Sequence, residues 1–259
     1  MTMNPSGSSV ATASVGVVHV HSTYSHDGRD SLVDIAEWAR DERLQFVGIT
    51  DHAEDVDEGA WRALVTDCER LSGSDLYMFP GLEFRFPGFA GVHLLACGLR
   101  GYMTPASPEE FIRDAASLCS LTIGAHPLIW RTPCPPAVLA SLDSIEVWNA
   151  GYNSRYLPDP HAIDMVRMLR AKGAETTAIV GPDQHDRRKD PGLRIHVRVP
   201  AAEALGAIRA GDFVGKGLTM DVPADADLGR MRRATLGASR RVFDAAKTAR
   251  NWWLTDARR

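Results

Sequence analysis

The chain has 259 residues, 44% hydrophobic and 24% charged, with a formal net charge of -4. That length suits the single core of an α/β barrel, and the near-balanced charge leaves no basic footprint for holding extended nucleic acid. No apolar run approaches the roughly 18 to 20 residues needed to cross a bilayer, so no membrane partner is expected.

Residues 1–14 lack a basic n-region and read as a flexible tail, followed by one domain over 15–259. The first strand is expected at 15–20. Leu32, Ile35, Ala36 and Ala39 then mark one face of a helix capped by Asp30 or Ser31. A strand at 45–49 follows, then a helix facing inward through Trp61, Leu64, Val65 and Cys68, then strands at 76–79 and 92–97. Phe111, Ile112, Ala115 and Leu118 mark the next helix, with Ser107 as cap and Pro108 at its first position. Strands at 121–123 and 144–147 precede a helix bearing Ile163, Val166, Met168 and Leu169. The last strands fall at 174–180 and 193–199, and a helix over 201–210 stops at Gly211.

A basic helical segment from about residue 226 carries Arg230, Arg232, Arg233, Arg240, Arg241, Lys247 and Arg250. It is expected to cover the body of the fold or to contact a second copy. The alternation of strands and helices predicts βαβ units with a largely parallel sheet or barrel. Cys68, Cys97, Cys119 and Cys134 lie far apart without a CxxC pair, which suggests neither a thiolate zinc site nor a disulfide framework. They read as reduced core residues of a cytoplasmic protein.

The stretch HVHSTYSHDG at 19–28 packs His19, His21, His26 and Asp27 together just after the first strand. Strand alternation places His19 and His21 on one face, where a single ion could meet both. TDH ends the second strand at His52, GLE follows the third at Glu83, and His93 opens the fourth. AHP ends the fifth at His126, and DQH ends a later strand with Asp183 and His185. Each motif alone has an ordinary structural explanation. Together they take six of the nine histidines, mostly to strand ends, where parallel α/β sheets and barrels build their sites.

This ordered set, HxH, SxDG, TDH, GLE, a following histidine, AHP and DxH, resembles the PHP (polymerase and histidinol phosphatase) domain over roughly residues 17–199. The resemblance implies a distorted (β/α)7 barrel of the TIM-like, PHP type with two or three divalent transition metals. It implies that His19, His21, Glu83 and Asp183 hold a first metal, that Glu83 bridges to a second held with His93 and His126, and that Asp27, His52 and His185 hold a third. Imidazole and carboxylate ligands without thiolate suit zinc, manganese or iron. His26, His161 and His196 match no motif position.

Such a centre lowers the pKa of a bridging water and neutralises phosphoryl charge, which is the chemistry of phosphoester hydrolysis. The expectation is a metal-dependent phosphoesterase, a phosphatase-type hydrolase acting through a metal-bridging hydroxide on a small phosphorylated substrate such as a nucleotide. Asp183 and His185 are the candidates for leaving-group protonation. Arg131, Arg155 and Arg187 are the candidate phosphate donors among Arg29, Arg85 and Arg188, because arginine's planar fork suits phosphate. Trp130, Trp148, Asn149 and Tyr152 are candidates to line a pocket for a ring. Only about thirty residues separate His52 from Glu83, so the insertion typical of relatives acting on oligonucleotides is absent. Hydrolysis of a carboxyl or carbamate ester, and a catalytically silent metal-binding domain, stand as alternatives.

Overall fold

The computed structural model describes residues 13–256. The expected tail therefore lies outside the described residues except at its end, where Ser14 is buried and already belongs to the first strand. The elements run β1 (Ser14–Val20), α1 (Leu32–Asp41), β2 (Phe46–Ile49), β3 (Asp51–His52), α2 (Glu58–Leu71), β4 (Tyr77–Phe79), β5 (Gly81–Arg85) and β6 (His93–Cys97). They continue α3 (Pro108–Leu118), β7 (Leu121–Ala125), α4 (Pro136–Ser141), β8 (Ser144–Asn149), α5 (Pro160–Ala171) and β9 (Thr177–Gly181). The chain finishes with β10 (Arg194–Val197), α6 (Ala204–Arg209), β11 (Phe213–Lys216), β12 (Asp221–Pro223) and α7 (Gly229–Asp256).

The helices form where caps and apolar stripes coincide. Ser31 accepts a hydrogen bond from the Asp34 amide while the Asp34 side chain accepts from the Ser31 amide, a reciprocal cap that starts α1. Ser107 caps α3 with Pro108 in its first turn. Leu32, Ile35, Ala36 and Ala39 of α1 are buried, as are Trp61, Leu64 and Cys68 of α2. Met168 departs from its expected face and is 51% exposed. Instead of one helix over 201–210, a turn of 3-10 helix leads into the short α6. Strands β5, β11 and β12 and helix α4 lie in segments whose runs are too short for periodicity to reveal. The first turns of α7 pack on α5, with Leu236 and Arg240 buried. Among the described residues no helix is long and apolar enough to cross a membrane.

Strand pairing gives two six-stranded sheets, ordered β12-β11-β10-β1-β2-β4 and β3-β5-β6-β7-β8-β9, rather than one closed parallel barrel. Only Thr50 separates β2 from β3 and only Pro80 separates β4 from β5, so two segments run through both sheets. Pro80 has no N–H to give to a ladder, which is a physical reason for a break there. On the other side Gln184 donates to the His19 carbonyl and His21 donates to the Gln184 carbonyl, stitching the end of β1 to the segment after β9.

The expectation of largely parallel pairing fails at two places. Strands β10 to β12 pair antiparallel, and β6 runs antiparallel to both β5 and β7. That reversal sets His93, at the start of β6, opposite Arg85 at the end of β5 and Ala125 at the end of β7. A residue that opens a strand thereby joins residues that close theirs.

Candidate metal centre

The backbone that presents His19 and His21 is not a regular strand. Pairing of β1 with β2 shifts register between Val18 and Val20, and His19 has φ 73°, in the left-handed region. The two rings still lie together, with centroids 5.2 Å apart, but a bulge places them rather than simple alternation. His126 (φ 33°) and Asp183 (φ 50°) share this rare conformation. Of five non-glycine residues at positive φ among those described, three belong to this cluster, and such strain persists only where surrounding structure enforces it.

Glu83, 1% exposed, sits at the hub. Its Oε1 lies 2.7 Å from His93 Nδ1 and 3.2 Å from His126 Nε2. Its Oε2 lies 3.1 Å from His52 Nδ1, 3.4 Å from His21 Nε2 and 3.7 Å from His19 Nε2. Asp183 Oδ1 faces the same pair, 3.2 Å from His19 Nε2 and 3.4 Å from His21 Nε2. On the outer side Asp27 Oδ2 is 3.3 Å from both His52 Nε2 and His185 Nε2.

All nine ligand candidates fall into overlapping groups whose donor atoms are mutually within 4.8 Å: His21, Asp27, His52 and His185; His19, His126 and Asp183; His19, His21 and Glu83; and Glu83, His93 and His126. The Nε2 atoms of His19 and His21 are buried without a hydrogen-bond partner although carboxylate oxygens are near. They converge on common points without bonding the carboxylates, which is the geometry of ligands around an ion. The donor set fits a divalent cation.

The electrostatics are those of ionised carboxylates among histidines. Burial would raise the Glu83 carboxyl, but His126, His19, His52 and His93 hold it well below its ordinary range. Asp183 is likewise held low against its burial, mainly by His19 and His21. Burial pushes the His19 imidazole down, yet Glu146 and Asp183 leave it well above its usual value. A divalent cation entering such a cluster takes the place of histidine protons.

Two carboxylates missing from the expected site residues stand behind it. Asp51 accepts from the Ser22 amide and hydroxyl and from the Ser25 hydroxyl, and Ser25 Oγ accepts from the His52 amide. Glu146, fully buried, meets His19 Nδ1. The visible signal for Glu146 is a lone carboxylate within the apolar run SIEVW.

A cavity of about 700 Å³ opens over the cluster, lined by Asp27, His52, Glu83, His93, His126 and His185 together with Tyr152, Arg29, Arg85, Arg155, Arg188 and Lys189. His19 and His21 lie beneath its floor, each at most 1% exposed. Of the three arginines expected to bind phosphate, Arg155 lines the cavity, while Arg131 and Arg187 do not. Arg187 is drawn away by Asp30, Asp34 and the Asp34 carbonyl. Arg85 does reach the cavity, with Nη2 3.1 Å from His52 Nε2. Of the ring candidates, Tyr152 faces His126 at 4.7 Å, whereas Trp148 is fully buried and Trp130 donates to the Ala125 carbonyl beside β7. His26 is exposed and bonded to Asp55, His161 is exposed at the start of α5, and His196 lies in β10.

No protein-family model matches the sequence, and no curated protein does. A solved two-domain protein from Bacteroides vulgatus ATCC 8482, containing a predicted PHP-like metal-dependent phosphoesterase, superposes with a TM-score of 0.57 at 18% identity, covering 80% of this chain. Over the covered residues the two chains are similar in fold. This chain spans 65% of that protein's length. The nine clustered residues lie mostly where strand ends meet, and the mixed α/β layout with two parallel-containing sheets is compatible with a TIM-like fold of the PHP type.

Proposed function

We propose that the protein is a metal-dependent phosphoesterase that hydrolyses a small phosphate monoester or nucleotide at a centre of two or three divalent ions. The observation that carries this is the convergence of Glu83 Oε2 with the unpartnered His19 and His21 nitrogens, and of Glu83 Oε1 with His93 and His126. His19, His21, Glu83 and Asp183 would hold one ion, Glu83, His93 and His126 a second, and Asp27, His52 and His185 a third. Such ions activate water near neutral pH and neutralise phosphoryl charge.

The chain's own residues do the rest. Glu83 and Asp183, held ionised, would act as ligands, so the proton-donor role falls to His185, partly exposed and lining the cavity, when two ions are bound and the Asp27, His52 and His185 group holds none. Tyr152, kept protonated by burial and by Asp183 and Glu83, can donate to a substrate oxygen. Arg29, Arg85, Arg155, Arg188 and Lys189 around the mouth favour an anionic phosphoester over a neutral carboxyl or carbamate ester. Taking β2 with β3 and β4 with β5 as single kinked strands, the order β1, β2/β3, β4/β5, β6, β7, β8, β9 makes seven. The Gln184 bonds back to β1 support reading these seven as a distorted barrel.

The test is metal analysis of purified protein with a panel of p-nitrophenyl phosphate, nucleotide monophosphates, carboxyl esters and carbamates. Turnover of a phosphoester by protein carrying two or three transition-metal ions is expected. Metal-replete protein active on carboxyl esters alone would overturn the reading.

A further inference from the structure

Glu146 is a charged residue at the centre of an apolar strand, fully buried, and its two oxygens face different things. Oε1 lies 2.6 Å from His19 Nδ1. Oε2 accepts from the His126 amide at 2.9 Å and from Asn149 Nδ2 at 2.9 Å. Asn149 Nδ2 also reaches Asp183 Oδ2 at 3.3 Å. One carboxylate on β8 thus touches the ends of β1 and β7 and, through Asn149, a residue two positions past β9. Two of the residues so held, His19 and His126, have the left-handed backbone noted above, and so does Asp183.

The seat for this carboxylate is made by Gly181. A Cβ added there would fall 2.0 Å from Glu146 Oε1 and 3.4 Å from His19 Cβ, so only glycine leaves the oxygen its place against His19.

Geometry then dictates the proton on His19. Against a carboxylate oxygen, which accepts, Nδ1 is the nitrogen that keeps its hydrogen, so Nε2, facing Glu83 and Asp183, is the nitrogen that gives up its proton to an entering ion. We infer that Glu146 is the positioning residue of the metal centre: it selects the His19 nitrogen presented to the ions and fixes the backbone that brings His126 and Asp183 beside it. The inference rests on the metal-centre reading for its purpose, and its geometry is independent of which substrate is used.

Glu146→Gln separates positioning from packing because the side chain keeps its shape. Two donors, the His126 amide and Asn149 Nδ2, demand the acceptor oxygen on their side, which turns the new NH2 toward His19 Nδ1. That nitrogen then has to accept, and the proton moves to Nε2, the face that should meet an ion. Gly181→Ala displaces the same carboxylate without changing any hydrogen-bonding group.

The experiment measures Zn²⁺ affinity by chelator competition, the His19 Nδ1 proton by ¹⁵N-edited NMR of zinc-free protein, and thermal stability of zinc-free protein. The wild type should show a hydrogen-bonded Nδ1 proton on His19. Glu146→Gln should lose that signal and bind Zn²⁺ about 10- to 100-fold more weakly, the range typical of residues that orient a ligating histidine. Gly181→Ala should weaken Zn²⁺ binding in the same direction. Retention of the Nδ1 proton and wild-type zinc affinity in Glu146→Gln, with only the melting temperature lowered, would overturn the inference and leave Glu146 a packing group. A wild type that binds no Zn²⁺ but keeps the Nδ1 proton would remove the metal-centre reading and with it the positioning role. If Glu146→Gln fails to fold, Gly181→Ala decides: unchanged zinc affinity overturns the inference.

Discussion

Glu83 on β5 and His93 on β6 are diagonal neighbours across an antiparallel pair, with Oε1 2.7 Å from Nδ1. Residues two apart across such a pair share a face of the sheet, so a carboxylate near the end of one strand meets a histidine at the start of the next. Glu83 contacts five histidines of the cluster, which makes it the residue whose loss disturbs every group at once. Glu83→Gln keeps its volume but not its charge. It should lower bound transition metal by at least one ion per chain and reduce hydrolysis of p-nitrophenyl phosphate by about 100-fold or more. Elemental analysis and initial rates check this, and wild-type metal content would contradict it.

The arginines divide by what they touch. Arg155 lines the cavity, so Arg155→Ala should raise KM for a phosphoester by about 5- to 30-fold, equivalent to about 1–2 kcal/mol. Arg187 bridges Asp30 and Asp34 outside it, so Arg187→Ala should leave KM within about twofold and cost about 1 kcal/mol of stability. Steady-state kinetics and urea melts on the two variants distinguish these outcomes.

The turn that carries Asp27 is closed by Gly28. Its amide donates to the Ser25 carbonyl, and an added Cβ would stand 1.9 Å from the Ser22 carbonyl oxygen. Because the obstacle is backbone, relief requires moving the turn itself. Gly28→Ala should cost about 1–3 kcal/mol and, on the proposed reading, weaken binding of the ion that Asp27 would hold before the others. Chemical denaturation and metal titration read the two effects separately.

At the edge of the cavity, burial opposes ionisation of Asp190, but the Arg194 guanidinium outweighs it and holds the carboxyl below its ordinary value of 3.8. A carboxylate depressed on folding contributes stability that is fully present above the unfolded value and is lost as pH falls through the folded one. Melting temperature should therefore fall as the pH drops below about 4, and Asp190→Asn should flatten that part of the profile. A profile with the same slope in the variant would contradict the assignment.

Burial pushes the thiols of Cys119 and Cys134 up to about 12, and those of Cys68 and Cys97 upward as well. All four are free and buried. At pH 8 native protein should react with a disulfide reagent at well under a tenth of the rate of a free thiol, whereas denatured protein should titrate four thiols. Rapid reaction of any native thiol would show that the segment around it opens.

The sequence by itself determined which histidines and carboxylates are candidates to hold metal. Strand-sized apolar runs ending in histidine or carboxylate are visible in one dimension, and all nine candidates fall within the clustered groups. It also determined the cap of α3 and the inward faces of α1 and α3, and narrowed the cap of α1 to Asp30 or Ser31, because those depend on neighbours within one turn. Only the tertiary structure decided how the pieces meet. The reversal of β6 that brings His93 to the strand ends, the bulge that turns His19, and the diversion of Arg187 toward Asp30 and Asp34 all depend on pairing between distant segments. Glu146 shows the difference most clearly. As a residue it is one carboxylate in an apolar strand, and its role appears only when folding closes 127 positions of chain to set it 2.6 Å from His19.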